Sequence, residues 1–163
     1  MPPEFTDDLL RLLPALRRFG LSLARRPDVA DDLVQITVER ALQNAAGFDP
    51  ASRLEPWVFR IMRNAWIDMA RRARTRGVTL DVTEAPDLVP HDGTRAIEAR
   101  LMLDATFAAL ETLPVEQREV LHLVCVEELS YAETADILGI PRGTVMSRLA
   151  RARVALAEKL GIN

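Results

Sequence analysis

Apolar residues return every three or four positions along most of this chain. Leu9, Leu12, Leu13, Leu16, Phe19 and Leu23 share one side of a helix that the spacing predicts from Thr6 or Asp7 to about Arg26, where Pro27 breaks it. A second amphipathic helix follows over Asp28 to Asn44, with Val34, Val38, Ala41 and Leu42 on its apolar side. Gly47 to Glu55 is a loop, and Pro56 opens a third helix to about Arg76, cored by Val58, Phe59, Ile61, Met62, Ala65, Trp66 and Met69. Gly77 to Thr94 breaks the pattern with Pro86, Pro90 and Gly93, four acids and no Lys or Arg, and is expected to be a mobile linker. Helical spacing then resumes over Ala96 to Thr112 and from Pro114 to about Glu128. A short helix runs from Ser130 to Leu138, and a last one from about Pro141 to Leu160. Strand-like alternation is absent. The expected fold is all-α: two small helical domains, 1–76 and 96–163, joined by a flexible linker at 77–95.

Charge sharpens this picture. The net charge is only −3, but residues 57–76 hold six arginines and one acid, and residues 142–159 hold five basic residues and one acid. Basic charge is thus gathered at the end of each half, while the rest of the chain is acidic. The longest uncharged apolar stretch near the middle, Val120 to Val126, is far too short to span a bilayer, which takes about 20 residues. The opening MPPEFTDD lacks the basic and apolar regions of a signal peptide, so a cytoplasmic protein without membrane insertion is expected. One cysteine, Cys125, excludes an internal disulfide.

The sharpest local signal is Ser130 to Lys159. Ser130 with Glu133 forms a capping-box pattern, Gly139 supplies a tight turn, and a longer basic helix follows: the outline of a helix-turn-helix. On the last helix Val145, Leu149, Ala152, Leu156 and Leu160 face the core. Thr144, Ser147, Arg148 and Arg151 lie opposite and, with Arg142, are candidates for reading a major groove. A solvated charged face is the plainer explanation for such a stripe taken alone, and the capped helix and glycine turn before it argue against that. The third helix carries a second such face: Arg60, Arg63, Asn64, Arg71 and Arg74, suited to phosphates and a few bases. Solvation with bridges to the acidic linker is its alternative. Trp57 at the edge of this face either stacks on a base or packs in the core. The second helix instead places Asp28, Asp32, Gln35, Glu39 and Gln43 together, a face that repels DNA and is either solvated or a docking surface for a basic partner. His122 and Cys125 stand three apart on one helix, but two ligands do not make a metal site, and His91 has no companion. No glycine-rich phosphate loop or catalytic constellation is visible; no enzyme activity, cofactor or metal is expected.

Taken in order, these segments resemble the extracytoplasmic-function sigma factors, group IV of the sigma-70 family. Asp31-Asp32-Leu33-Val34-Gln35 with Arg40-Ala41-Leu42 is similar to that family's conserved region-two helix, and Pro56-Trp57 with Arg63-Asn64-Ala65-Trp66-Ile67-Asp68 to its next helix. Leu113-Pro114, Arg118-Glu119-Val120-Leu121, Leu129-Ser130-Tyr131 and Ile137-Leu138-Gly139-Ile140-Pro141 resemble region four. Gly143-Thr144-Val145, Ser147-Arg148 and Arg151-Ala152-Arg153 complete that likeness. The resemblance covers nearly the whole chain except the linker.

It implies roles. Asp28, Asp32, Gln35 and Glu39 would dock on the clamp of the largest subunits of core RNA polymerase, and region four on the flap of the second. Trp57, Arg60, Arg63, Asn64, Arg71 and Arg74, with the loop at 47–55, would bind and open the minus-ten element of promoter DNA. Arg142, Thr144, Ser147, Arg148 and Arg151 would read the minus-thirty-five element, and an anti-sigma factor would cover one or both domains. Two departures stand out. Met146 occupies a position often basic in relatives, and the opening helix has few of the aromatics that larger sigma factors use in strand separation, so opening is expected to rest on one base captured in the loop. Two other classes remain: a dimeric helix-turn-helix regulator bound to a palindrome, and an interaction module whose basic faces hold an acidic protein.

Overall fold

The computed structural model describes residues 3–77 and 94–162; among them there is no strand. The first half contains α1 (Pro3–Arg11), α2 (Leu13–Ala24), α3 (Pro27–Gln43) and α4 (Leu54–Thr75). The second contains α5 (Thr94–Glu111), α6 (Val115–Leu121), a wider π-helical turn (His122–Val126), α7 (Tyr131–Leu138) and α8 (Arg142–Leu160). No helix among the described residues is long and apolar enough to cross a membrane. The expected linker at 77–95 falls largely on residues 78–93, which lie outside those described, and α5 begins two residues before the expected start.

Two expectations need correction. The single helix foreseen from Thr6 to Arg26 begins at Pro3 and is two helices, broken at Leu12. Pro14 is the cause: it lacks an N–H, its ring would press on the carbonyl one turn back, and it is at ease only in a first turn, where it sits in α2. Likewise the helix foreseen from Pro114 to Glu128 is not regular throughout. Its C-terminal part widens, so that the Glu127 N–H donates to the His122 carbonyl at 3.0 Å, five residues back. That register brings the side chains of His122 and Glu127 together, Nε2 to Oε1 at 3.1 Å.

Elsewhere local chemistry and structure agree. Pro27, foreseen as a breaker, serves as the first-turn proline of α3. Ser130 and Glu133 close a reciprocal cap on α7, each bond 3.0 Å, and Gly139 ends the helix at φ +66°, a conformation that a Cβ would disfavour. Arg25 ends α2 at φ +62° without being glycine; its guanidinium reaches across to the Leu113 carbonyl at 3.2 Å, which helps to hold the strained residue in place.

The two halves share one core. Leu16, Phe19, Phe59 and Met62 from the first and Val120, Leu123, Leu138 and Val145 from the second are fully or almost fully buried in the same cluster. Phe19 sits at its centre, edge-on to Phe59 at 5.5 Å and against the His122 ring at 5.5 Å. At about 25 cal/mol per Å² of apolar surface, burying side chains of this size contributes about 1.5–3 kcal/mol each, so residues from both halves add to the stability of either one.

Candidate nucleic-acid interface

The last helix is aimed by its start. Gly139 reverses the chain, Pro141 takes an extended conformation at the N-cap, and Val145, Leu149 and Ala152 anchor α8 in the core. What remains outside is Arg142, Met146, Ser147, Arg151 and Arg153, all exposed. Thr144 and Arg148 are half-buried at the edge of this face, and Arg148 lies near enough to Glu119 of α6 to act on its charge. Met146 is 54% exposed, so the thioether stands where a cation would extend the positive surface.

On α4, burial of Val58, Phe59, Met62 and Ala65 turns Arg60, Asn64, Arg71 and Arg74 to the surface. Arg71, Arg72, Thr75 and Arg76 line a shallow depression at the C-terminal end of the helix, where cations also meet the negative end of the helix dipole. Trp57 is half-buried in an aromatic cluster with Phe48 (5.1 Å) and Phe5 (6.0 Å). The 47–55 loop therefore rests on Trp57 through Phe48, a link that the helical spacing of α4 could not disclose. On α3, Asp28, Asp32, Gln35, Glu39 and Gln43 are exposed together, and the Gln35 amide donates to Glu39 at 3.4 Å. The opposite side of α3 packs through Val29, Ala30, Leu33 and Ala41.

Arg63 departs from the rest of its stripe. It points between the halves, where Nε and Nη2 donate to the two oxygens of Glu119, each at 3.4 Å, and Nη1 donates to the Leu138 carbonyl at 3.2 Å. The same kind of contact recurs along the junction. Arg18 meets both oxygens of Glu127 at 3.2 and 3.3 Å, and Arg53 meets both oxygens of Glu133 at 3.0 and 2.7 Å. In each, an arginine of the first half holds a glutamate of the second. Arg118, only 5% exposed, works in the other direction: it donates to the Ser22 and Leu23 carbonyls at the end of α2 and to Leu113 within its own half. A cation there satisfies carbonyls that the last turn of α2 leaves without a helical partner.

The three glutamates differ in their electrostatics. Burial pushes the Glu119 carboxyl above its ordinary range, and the Arg63 and Arg148 guanidinium groups only partly offset this. Burial also works to raise Glu127, but hydrogen bonds from His122 and Arg18 outweigh it and hold the group below its ordinary range. Glu133 is likewise held low: the Ser130 cap bonds and Arg53 overcome its burial. Sequence reasoning missed this junction. Arg118 and Glu119 are legible only as a charged pair in front of Val120-Leu121, and nothing in their spacing says what lies opposite. His122 and Cys125, adjacent on a helical wheel, have separate surroundings: the first is half-buried beside Phe19 and Glu127, the second exposed.

A capped helix, a glycine turn and a basic helix at one end, with an arginine-bearing helix at the other, have the outline of a DNA-binding transcription factor. Residues 9–76 match the Sigma-70 region 2 family and residues 103–156 the Sigma-70 region 4 family. The chain belongs to the extracytoplasmic-function branch of the sigma-70 family of RNA polymerase sigma factors. It is 40% identical over 157 residues to the ECF RNA polymerase sigma factor EcfG of Rhodopseudomonas palustris, spanning 96% of this chain and 85% of that protein. To the sigma factor SigM of Mycobacterium tuberculosis it is 36% identical over 147 residues, 90% of this chain and 71% of the other. Among solved structures it resembles the sigma factor RpoE of Bartonella quintana in complex with the anti-sigma factor NepR, with TM-score 0.82, 33% identity and 99% of both chains covered. It also resembles CnrH in complex with the cytosolic domain of CnrY, with TM-score 0.69, 28% identity, and 96% and 87% coverage.

Proposed function

We propose that this sigma factor carries core RNA polymerase to promoters of a signal-regulated set of genes in the cytoplasm. Residues 1–76 would act as the core-binding and minus-ten domain, 96–163 as the minus-thirty-five domain, and 77–95 as the link between them. In this reading α3 docks on the polymerase clamp through Asp28, Asp32, Gln35 and Glu39, three carboxylates that DNA repels and an amide, all of which stand exposed together. Region four meets the flap. Arg60, Asn64, Arg71 and Arg74 hold the minus-ten phosphates, and Arg63 joins them once the halves separate. Trp57 positions the 47–55 loop through Phe48, and the loop captures a base. Arg142, Ser147 and Arg151, with Thr144 and Arg148 at the edge, read the minus-thirty-five groove. An anti-sigma factor, like the NepR bound to the similar RpoE structure, would hold the chain away from polymerase.

The observation that carries this reading is the pairing, on one chain, of an acidic docking face on α3 with two separate basic helices. A dimeric regulator needs no polymerase-docking face, and nothing observed favours that alternative. The test is run-off transcription from genomic fragments by core polymerase with and without the protein. Discrete transcripts that need both components are expected. Equal output from core polymerase alone would overturn the proposal.

A further inference from the structure

We propose that α1 is a working part of promoter opening: Phe5 is a positioning residue that braces the base-capturing loop at 47–55 through Phe48. The inference rests on the reading of that loop as the segment that captures a base, and it extends the minus-ten apparatus to a residue that precedes the stretch, 9–76, matched to region 2.

Its first support is ring geometry. Phe5 is 7% exposed. Its ring stands tilted against Phe48 at 5.7 Å and edge-on to Trp57 at 6.0 Å, while Phe48 and Trp57 are 5.1 Å apart. The three rings close a triangle whose corners come from α1, the loop and α4. Tilted and edge-on rings at such separations attract, and a ring held on two sides cannot slide along either neighbour without losing the other. Without Phe5, Phe48 keeps Trp57 on one side and faces a void on the other.

Its second support is the manner in which the loop is held. Phe48 is the one side chain from 47 to 53 that is withdrawn from solvent. The tip is braced within itself: the Ala51 N–H donates to the Asp49 carboxylate at 3.0 Å and the Ser52 N–H to the Asp49 carbonyl at 2.9 Å. A turn closed in this way moves as one piece. Its far end is fixed by Arg53 on Glu133 and by buried Leu54. Phe48 therefore sets the tilt of the near end. On the α1 side the loop spans open space, a cleft of about 670 Å³ with Glu4, Asp8 and Leu12 on one wall and Ala46, Pro50 and Ser52 on the other. Close packing does not fix the tip from below, so the aromatic triangle is its support. A loop held ready for an unstacked base binds it without the cost of first becoming ordered.

The test uses the full chain with core polymerase on a promoter recovered by run-off. Permanganate reactivity of unpaired thymines reads opening. The same promoter with its minus-ten element already mismatched into a bubble separates opening from every other step. Phe5→Ala is expected to lower opening and transcription on the duplex about fivefold, to bind core enzyme as the parent does, and to recover most of the loss on the bubble. Phe5→Leu keeps an apolar side chain in the core but no ring, and is expected to show a smaller loss of the same kind; it carries the test if thermal melts show Phe5→Ala unfolded at the assay temperature. Phe48→Ala alone and with Phe5→Ala are expected to be equally impaired, because the second change removes nothing once the first has cut the path. Leu10→Ala, at a 55% exposed position of the same helix, is expected to match the parent. Affinity for the single minus-ten strand, with an abasic nucleotide walked through it, finds the captured position, where parent and Phe5→Ala should bind alike. Equal opening by parent and Phe5→Ala would overturn the proposal. So would a loss as large on the bubble as on the duplex, or additive losses in the double variant, since either would mean that Phe5 supports the fold and not the loop. A parent that gives no transcript with core polymerase would instead overturn the sigma-factor role.

Discussion

The two basic helices are built alike and deployed differently. Each buries one apolar face and carries a stripe of arginines on the other. On α8 the stripe stays open, with Arg142, Arg151 and Arg153 exposed and only Arg148 drawn partly inward. On α4 a member in mid-helix, Arg63, is taken into the junction while Arg60, Arg71 and Arg74 remain outside. The difference arises from what lies opposite. Beside α4 stand α7 and Glu119 of α6, a buried carboxylate whose two oxygens are both met by Arg63. An arginine stripe read from sequence is therefore a set of candidates, and the packing of the other half decides which of them are free.

The largest effect expected along this contrast is on folding. Arg118→Ala removes a buried guanidinium, takes the side-chain donor from the Ser22 and Leu23 carbonyls and leaves the Leu113 carbonyl to Arg25 alone, a loss of about 3 kcal/mol. Arg151→Ala, on the open stripe, is expected to stay within about 0.5 kcal/mol of the parent. Urea unfolding of both variants checks this; equal stabilities would mean that the junction contributes nothing to the fold.

Next in size is sequence reading. Arg151→Ala is expected to weaken binding to a promoter recovered by run-off by about 1–3 kcal/mol, with a smaller loss on a scrambled minus-thirty-five element. Equal losses on both would assign Arg151 to phosphate alone. The α4 stripe should behave in the opposite sense. Substituting Arg60, Arg71 and Arg74 is expected to lower affinity on most sequences and to flatten the logarithmic salt dependence by about 0.9 per lost contact. An unchanged slope in the triple variant would remove this face from the interface.

The smallest expected effect comes from pH. Glu127 is held below its ordinary range in the folded chain, so its contribution is present above about pH 4.3, the unfolded value, and is lost as pH falls through the lowered folded value. Glu119 has the opposite sign: its raised carboxyl binds a proton more readily when folded, so acidification stabilises the fold through this group. Glu127→Gln should then cost about 1 kcal/mol at neutral pH, and the deficit should close as the pH is lowered. Glu119→Gln, which keeps an oxygen for Arg63 and removes the buried charge, should leave the neutral-pH midpoint unchanged or higher. Thermal melts across the acid range measure both.

Much of this was legible in the sequence because it is local. The capping box at Ser130, the turn at Gly139 and the proline starts depend on residues a few positions apart, and the structure repeats them closely. The acidic face of α3 and the exposed arginines of α8 followed from periodicity alone. Illegible features depended on distant partners. No spacing within α4 sets Arg63 apart from Arg60, because the distinction is made by Glu119, 56 residues away. Trp57 could be given two readings for the same reason: Phe5 and Phe48, which enclose it, come from α1 and a loop. The break at Leu12 is hidden because six apolar positions keep one register across it, and the proline that causes it leaves that register unchanged.

Binding of the full chain to core RNA polymerase without DNA tests the central claim most directly, with Asp32→Arg measured beside the parent. The account predicts that the parent binds, and that the variant loses most of that affinity while keeping its helical content, because the reversed charge meets the basic partner surface inferred from the α3 face. A parent that fails to bind, or a variant that binds equally well, would contradict it.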